Sequence, residues 1–425
     1  MSVTAQLVPG NALEVLRGME AESVDCVVTS PPYWNLRSYG DLPGEMGREP
    51  TIAEYVERMV EVFREVRRVL KKSGTCWVNI SDSYASGKGT CYNPGGGPQS
   101  GIPIADKSRF PLDRGSIRTL ARDSLKPKDR CGIPERLVLA LQADGWWWRD
   151  EIIWHKPAPM PMSRKDATTP AHEKIYLLTK AARYWSDFGA LATPASPNTH
   201  ARISQNLADQ RGSFRAAGGN KTNGPMKAVI AGSTRKLAEA GSGIAGNRSF
   251  EAALALPVAT AHPRSVWTFS TAGFSGAHFA TFPPELARRC ILAGCPPMVC
   301  AKCGVPFVPQ MKRTTRPHPN RWSKQADAEQ FDKTGNAYKP GGSLGVAHSV
   351  EHLGYAPACQ CDATTQPGLV LDLFVGSGTT CAVALSLGRN SIGIDLNPEY
   401  LELARKRIAA VTPALPFAAA LEASP

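Results

Sequence analysis

The stretch GLVLDLFVGSGTTCAVALSLGRNSIGIDLNPEYLELARKRIAA, residues 368–410, constrains the fold more than any other part of the chain. It reads as strand, glycine-rich turn, helix, strand ending in an acidic residue, and helix. That succession is a βαβ nucleotide-binding unit of a parallel sheet. Asp372 ends the first strand, Gly376 and Gly378 make the turn with Ser377 between them, and a helix starts near Thr379. Glycine lacks a Cβ, so the backbone there can approach a ligand closely. The third glycine of a dinucleotide fingerprint is replaced by Cys381, which argues against a nicotinamide dehydrogenase. Asp395 ends the next strand, where a carboxylate can accept hydrogen bonds from ribose hydroxyls. The glycine turn alone is a common motif. With the acidic strand end it points to an adenosine-type cofactor.

The opposite end of the chain carries a second constraint, TSPPYWNLRSYG at residues 29–40. The apolar run Val24 to Val28 has strand character, and it must stop at Ser30 because prolines cannot pair within a central strand. Pro31 and Pro32 fix their own φ and offer no N–H, so a stiff turn exposes carbonyl oxygens. A hydroxyl, bare carbonyls and the ring of Tyr33 at a strand end suit the gripping of a flat, polar ligand. An ordinary proline-containing turn accounts for these residues equally well.

Between these ends the sequence alternates strand and helix signals. Residues 4–8 and 24–30 read as strands, and 12–19 as a short helix. Residues 51–72 carry an apolar stripe at helical spacing, including Ile52, Tyr55, Met59, Phe63 and Val66. A strand begins near Gly74, a helix covers 133 to about Gly145, strands follow at 151–157 and 173–180, and 283–294 is helical. Gly- and Ser-rich composition predicts a mobile loop over about 85–129. Residues 1–185 therefore read as one half of a domain, with 266–299 and 362–412 as the cofactor-binding half. Residues 300–361 form a cysteine-bearing insert, and 413–425 a tail.

The formal net charge of +12 favours a polyanionic partner, nucleic acid first. Arg202, Arg211, Arg215, Lys221, Lys227 and Arg235 lie among Gly, Ser and Asn in residues 186–265, a composition suited to phosphate and base-edge contacts. A solvated insert would look the same. No apolar run reaches the ~18 residues of a membrane span. The first residues lack a basic segment followed by an apolar one, so no secretory signal is expected. Eleven cysteines, an odd number unevenly spread, suit a reducing cytoplasm.

SPPYW followed much later by DLFVGSGTT and GIDLNPEY resembles the S-adenosylmethionine-dependent DNA amino-methyltransferases. The catalytic motif precedes the cofactor motif, the circularly permuted order of the family's beta class. WHKPAPMP (154–161), AHEKIYLLTK (171–180) and HFATFPPELARRCI (278–291) also look like family blocks. The resemblance implies a Rossmann-like, seven-stranded, mostly parallel α/β sheet and target recognition by residues 186–265. It implies a double-stranded DNA substrate, a homodimer and a bacterial or phage cytoplasmic setting.

It also assigns roles. Ser30 and the Pro31 carbonyl would accept hydrogen bonds from a base amino group, and Tyr33 would stack on the flipped base. The methionine moiety would lie near Phe374, Gly376 and Gly378, and the ribose at Asp395, with Asp372 orienting the loop. Asn11 stands where the family often has an acidic residue near the adenine, and His278 would line the cofactor pocket.

Serine in SPPY resembles the cytosine-N4 enzymes, whereas adenine-N6 enzymes more often carry Asp or Asn there, so N4 is expected and N6 is the alternative. Cytosine C5 chemistry fits poorly, because it needs an activated thiolate. RNA or a protein amide, and a catalytically inactive DNA-binding regulator, are further readings of the same chain. Finally, Cys300 and Cys303 form a C-x-x-C-G knuckle, and Cys359 and Cys361 supply two more thiols. Four thiolates suit a structural zinc ion; reduced cysteines are the competing reading.

Overall fold

The structure is a computed structural model that describes residues 3–34, 42–85, 125–126, 128–159, 161, 166–194, 260–271, 282–317 and 346–413. The segment expected as a loop at 85–129, the basic insert at 186–265, the 300–361 insert and the tail at 413–425 lie largely or partly outside these residues. The strands of the main sheet are β1 (Ala5–Pro9), β2 (Val24–Thr29), β3 (Leu70–Ile80), β4 (Trp147–His155), β5 (His172–Thr179), β8 (Val266–Thr268), β13 (Leu369–Asp372) and β14 (Asn390–Asp395). Their order is β1-β14-β13-β2-β3-β5-β4-β8. Only β5 opposes its neighbours, pairing antiparallel with both β3 and β4.

Sequence periodicity explains the layers. In a strand, successive side chains point to opposite faces. Val27, Cys76, Val78 and Leu371 join the apolar cluster on one face, with Tyr55, Met59, Phe63 and Val66 of helix α2 (Ile52–Val69). Leu137 and Leu141 of α3 (Ile133–Ala143) belong to the same cluster. Cys26, Val28, Trp77 and Val370 face the other way, onto Leu286, Cys290 and Ile291 of α4 (Pro284–Gly294). A strand covered on both faces is apolar throughout, as the all-buried β2 shows. Thr51 caps α2 by accepting from the Glu54 amide at 3.1 Å, the first half of a capping box.

Among the described residues the sheet has eight strands, where the family resemblance implied seven. The addition is β8, three residues long and parallel to β4. Its Trp267 is buried, stacks on Trp77 with centroids 6.3 Å apart, and lies under the Arg289 guanidinium at 5.5 Å. Packing of that one indole brings an edge segment into the sheet. β3 and β4 also begin earlier than expected, at Leu70 and Trp147, each beside an irregularity in its ladder.

The described chain divides into two compact units. The first comprises Met1–Leu191, Pro263–Val308 and Ala356–Pro425; the second comprises Ala192–His262 and Pro309–Tyr355. The second contains a small ladder of β6 (Thr193–Pro194) with β7 (Thr260–Ala261). It also contains most of a strand pair, β10 (Val308–Pro317) with β11 (Val346–Ala356).

Asp25 fastens the permuted halves of the sheet at the start of its central strands. Its carboxylate receives the Lys71 ammonium at 2.7 Å and the Leu369 amide at 2.9 Å, linking β2, β3 and β13. Asp25→Ala strands a mostly buried ammonium and an amide together. A stability loss of about 3–5 kcal/mol is expected in urea unfolding, against little change for a substitution at exposed Glu402.

Candidate active site

The site is assembled from strand C-termini on either side of β13, where the chain order of the sheet switches direction. Open α/β sheets bind ligands at that point. β13 delivers Asp372, and the following loop Leu373–Gly378 runs into α5 (Thr379–Ser386). Gly376 and Gly378 adopt φ +49 and +80, the left-handed region that favours glycine. A Cβ on Gly378 would lie 2.8 Å from the Ala404 side chain, so glycine is also required for α5 to pack on α6 (Pro398–Ala409). From α6, Arg407 donates to Ser377 Oγ at 2.9 Å and Thr379 Oγ1 at 2.7 Å.

Two carboxylates organise the loop. Asp395 receives the Gly376 and Asn397 amides, each at 2.9 Å. Asp372 is buried and accepts from Thr29 Oγ1 at 2.8 Å, Thr380 Oγ1 at 2.5 Å and the Phe374 amide at 3.2 Å. Burial raises both carboxyls, and pushes Asp372 up to about 6 against the pull of its donors.

Across the cleft, β2 ends at Thr29 and the proline turn begins. Pro32's carbonyl accepts from Tyr55 Oη at 2.9 Å, and Trp34 Nε1 donates to the Glu49 carbonyl at 2.8 Å. Tyr33 Oη donates to Glu173 Oε2 at 2.9 Å. Glu173 also accepts from Asn79 Nδ2 at 3.1 Å and pairs with Lys156, whose ammonium sits 4.6 Å from the Trp154 ring. Ser30 Oγ and the Pro31 carbonyl have no such partner among the described residues.

Ser30, Pro31, Pro32, Tyr33, Asn11, Phe374, Gly376, Ser377, Thr379 and Asp395 thus line one cleft, together with Phe282, Tyr400 and Leu403. Asp372 and Gly378 stand behind it. Asn11 has structural work there: its Oδ1 caps α1 (Ala12–Gly18) by accepting from the Leu13 amide at 3.0 Å, and its Nδ2 donates to the Gly44 carbonyl at 2.9 Å. His278 lies outside the described residues. The four cysteines gather elsewhere, beside Lys71 and Lys72 at the start of β3. Sequence reading missed Glu173, Asn79, Lys156, Tyr55 and Arg407.

A cleft between a rigid acceptor turn and a glycine-rich, carboxylate-held loop defines a cofactor-dependent group-transfer enzyme. The sequence profile of the DNA methylase family, the N6 and N4 methyltransferases, matches residues 24–298 and 362–406, and the chain belongs to that family. The type II methyltransferase M.SmaI of Serratia marcescens is 32% identical over 406 residues, 95% of this chain and 91% of its own length. M.Cfr9I of Citrobacter freundii, also a type II methyltransferase, is 32% identical over 405 residues, 95% of this chain and 87% of its own. The solved PvuII DNA methyltransferase, described as cytosine-N4-specific, aligns over 96% of this chain and 87% of its own at 15% identity and a TM-score of 0.46. The chain is a DNA methyltransferase. No helix among the described residues is long and apolar enough to cross a membrane.

S-adenosylmethionine is the family's cofactor, and the donor set of the cleft fits it. Asp395 offers carboxylate lone pairs for hydroxyls, and Phe374, Tyr400 and Leu403 offer apolar surface. A Cβ on Gly376 would meet only the Phe374 carbonyl at 4.0 Å, so this backbone faces open space.

The raised Asp372 carboxyl has a pH consequence. The folded state holds this proton up to about pH 6, an unfolded aspartate only to about 3.9. Its stabilising share is therefore complete below about pH 4 and lost as pH rises through about 6, a loss of about 3 kcal/mol. Asp372→Asn removes that dependence. Urea unfolding from pH 4 to 7.5 should show the variant gaining on the wild type by up to that amount; parallel curves would refute the assignment.

Proposed function

We propose that the protein transfers a methyl group from S-adenosylmethionine to the N4 amino group of a cytosine swung out of duplex DNA. When bound, the cofactor supplies an electrophilic methyl group with a good leaving group. The observation that carries the reading is that Ser30 and Pro31, whose Oγ and carbonyl have no partner among the described residues, line the same cleft as the glycine loop.

An exocyclic amino nitrogen is a poor nucleophile because its lone pair is delocalised into the ring. Two acceptors that draw on both its hydrogens favour a pyramidal nitrogen, and they stabilise the positive charge that grows there during transfer. Pro31 and Pro32 have no N–H, so neither presents a donor that would compete with the amino group. Tyr33, clamped through its hydroxyl by Glu173, presents a fixed aromatic wall for the base, offsetting some of the few kcal/mol that unstacking costs. Asp395, beside the open space at Gly376, would accept hydrogen bonds from the cofactor's sugar hydroxyls, and the resulting alignment would supply much of the rate.

No cysteine among the described residues lines the cleft. Burial raises the thiols of Cys26 and Cys76 and pushes Cys381 up to about 12, so none is poised for attack on cytosine C5. Serine rather than an acidic or amide side chain at position 30 supports cytosine over adenine. The net charge of +12 supports a duplex-DNA substrate. A homodimer, in a bacterial or phage-infected cytoplasm, completes the proposal.

Expression in a methylation-deficient host, followed by nucleoside mass spectrometry of the genomic DNA, tests it. N4-methylcytosine is expected with the wild type and absent with Tyr33→Ala. N6-methyladenine would keep the cleft chemistry and replace the base; neither product, from protein that binds the cofactor, would overturn the proposal. Ser30→Ala should lower kcat by roughly 10²-fold, the scale of one lost charge-stabilising hydrogen bond, with cofactor affinity unchanged.

A further inference from the structure

Four sulfur atoms converge where the chain leaves the first unit for Pro309–Tyr355 and where it returns. Cys300 closes β9 (Met298–Cys300), and Cys303 follows it in the turn. Cys359 and Cys361 precede β12 (Thr365–Pro367), which pairs antiparallel with β9 in the register Thr365↔Cys300. The four Sγ atoms lie within 4.8 Å of one another, and none of the four cysteines is in a disulfide.

Backbone amides and cationic side chains border the cluster. The Lys302 and Cys303 amides lie beside the Cys300 sulfur, and the Cys361 amide lies beside the Cys359 sulfur. The turn is closed by Gly304 N to the Cys300 carbonyl and Cys300 N to the Val305 carbonyl, each at 2.9 Å, with Gly304 at φ +68. Lys72 and Arg183 share a recess with Cys303, and its one carboxylate, Glu22, is paired with Lys180 at 2.8 Å. Core packing does not account for the cluster, because Cys303 is exposed and Cys359 and Cys361 are half-buried.

We propose that Cys300, Cys303, Cys359 and Cys361 together bind one zinc ion, a structural site that fastens the chain on either side of Pro309–Tyr355. Zinc bonded to four sulfurs at about 2.3 Å places them about 3.8 Å apart, so a contraction of about 1 Å closes the tetrahedron. Binding releases the thiol protons and leaves a doubly negative centre, which the amide donors and nearby cations offset. Four protein ligands leave no position for a substrate, so the ion takes no part in methyl transfer. The family profile stops matching at residue 298 and resumes at 362, so the four cysteines fall outside the matched segments.

The test is elemental analysis of the full-length protein, purified under reducing conditions, dialysed, incubated with Zn²⁺ and passed through a desalting column. One zinc per chain is expected. Cys303→Ser and Cys361→Ser should lose the zinc, whereas Cys361→His, which restores a ligand, should keep it. Should the serine variants misfold, mercurial titration of the native wild type decides instead, with zinc released in step with the reaction of four thiols. Co²⁺ exchanged into the wild type should show the intense visible bands of tetrahedral thiolate ligation. Protein that retains no zinc, or that carries stoichiometric iron in its place, overturns the assignment.

Discussion

The hydrogen bond from Thr29 to Asp372 joins the last residues of two adjacent strands that lie 343 positions apart in the chain. Everything the cleft does depends on that join. The proline turn follows one of these residues directly, and the glycine loop follows the other. No local preference could set the distance between them. A buried carboxylate can, because it only accepts and so collects donors from several segments: a strand hydroxyl, a helix hydroxyl and a loop amide. Asp25 repeats the device at the other end of the same strands. Apolar contacts alone would bury the strands equally well and hold their register less strictly.

The acceptor turn illustrates how rigidity is assigned atom by atom. Pro32, Tyr33 and Trp34 are each tied to a different part of the scaffold: α2, the start of β5 and the Glu49 backbone. Ser30 and Pro31 are flanked by these anchors and by β2, line the cleft themselves, and carry no such tie among the described residues. Glu173 is the costliest component, a carboxylate with a side chain only 13% exposed. Lys156, Asn79 and Tyr33 offset its desolvation, so the charge that steadies the ring is itself steadied.

Features carried by local stereochemistry were legible in the sequence. Two prolines forbid a strand, a glycine pair permits positive φ, and an acid after an apolar run marks a strand end. These rules located the turn, the loop and Asp395. Glu173 was hidden because β5 runs against its neighbours, and only that reversal brings its first residues to the end of the sheet where the others finish. Strand direction has no local signature. Arg407 was hidden for a similar reason, being an ordinary cation in the last turn of a helix until α6 folds back over the loop. Asn11 carried a readable signal of another kind, a short polar residue just before a helical run, which marks an N-cap as much as a ligand contact. The three-residue β8 is too short for any periodicity to register.

The two ends of the strands do different work, and this decides what a metal in the fold could do. The cleft occupies the C-terminal ends, where β2 and β13 deliver their turns. The cysteine cluster lies beside Lys71 and Lys72, which begin β3 at the opposite end. The length of the strands separates the two, so an ion held there has no route to the reacting atoms and can act only through the chain it holds. Beyond the C-terminal end of β3, Tyr84 bridges Arg130, and Asp82 pairs with the same arginine at 2.9 Å. The scaffold therefore fastens its central strands at both ends, through Asp372 beside the cleft and through Asp25 beside the cysteines.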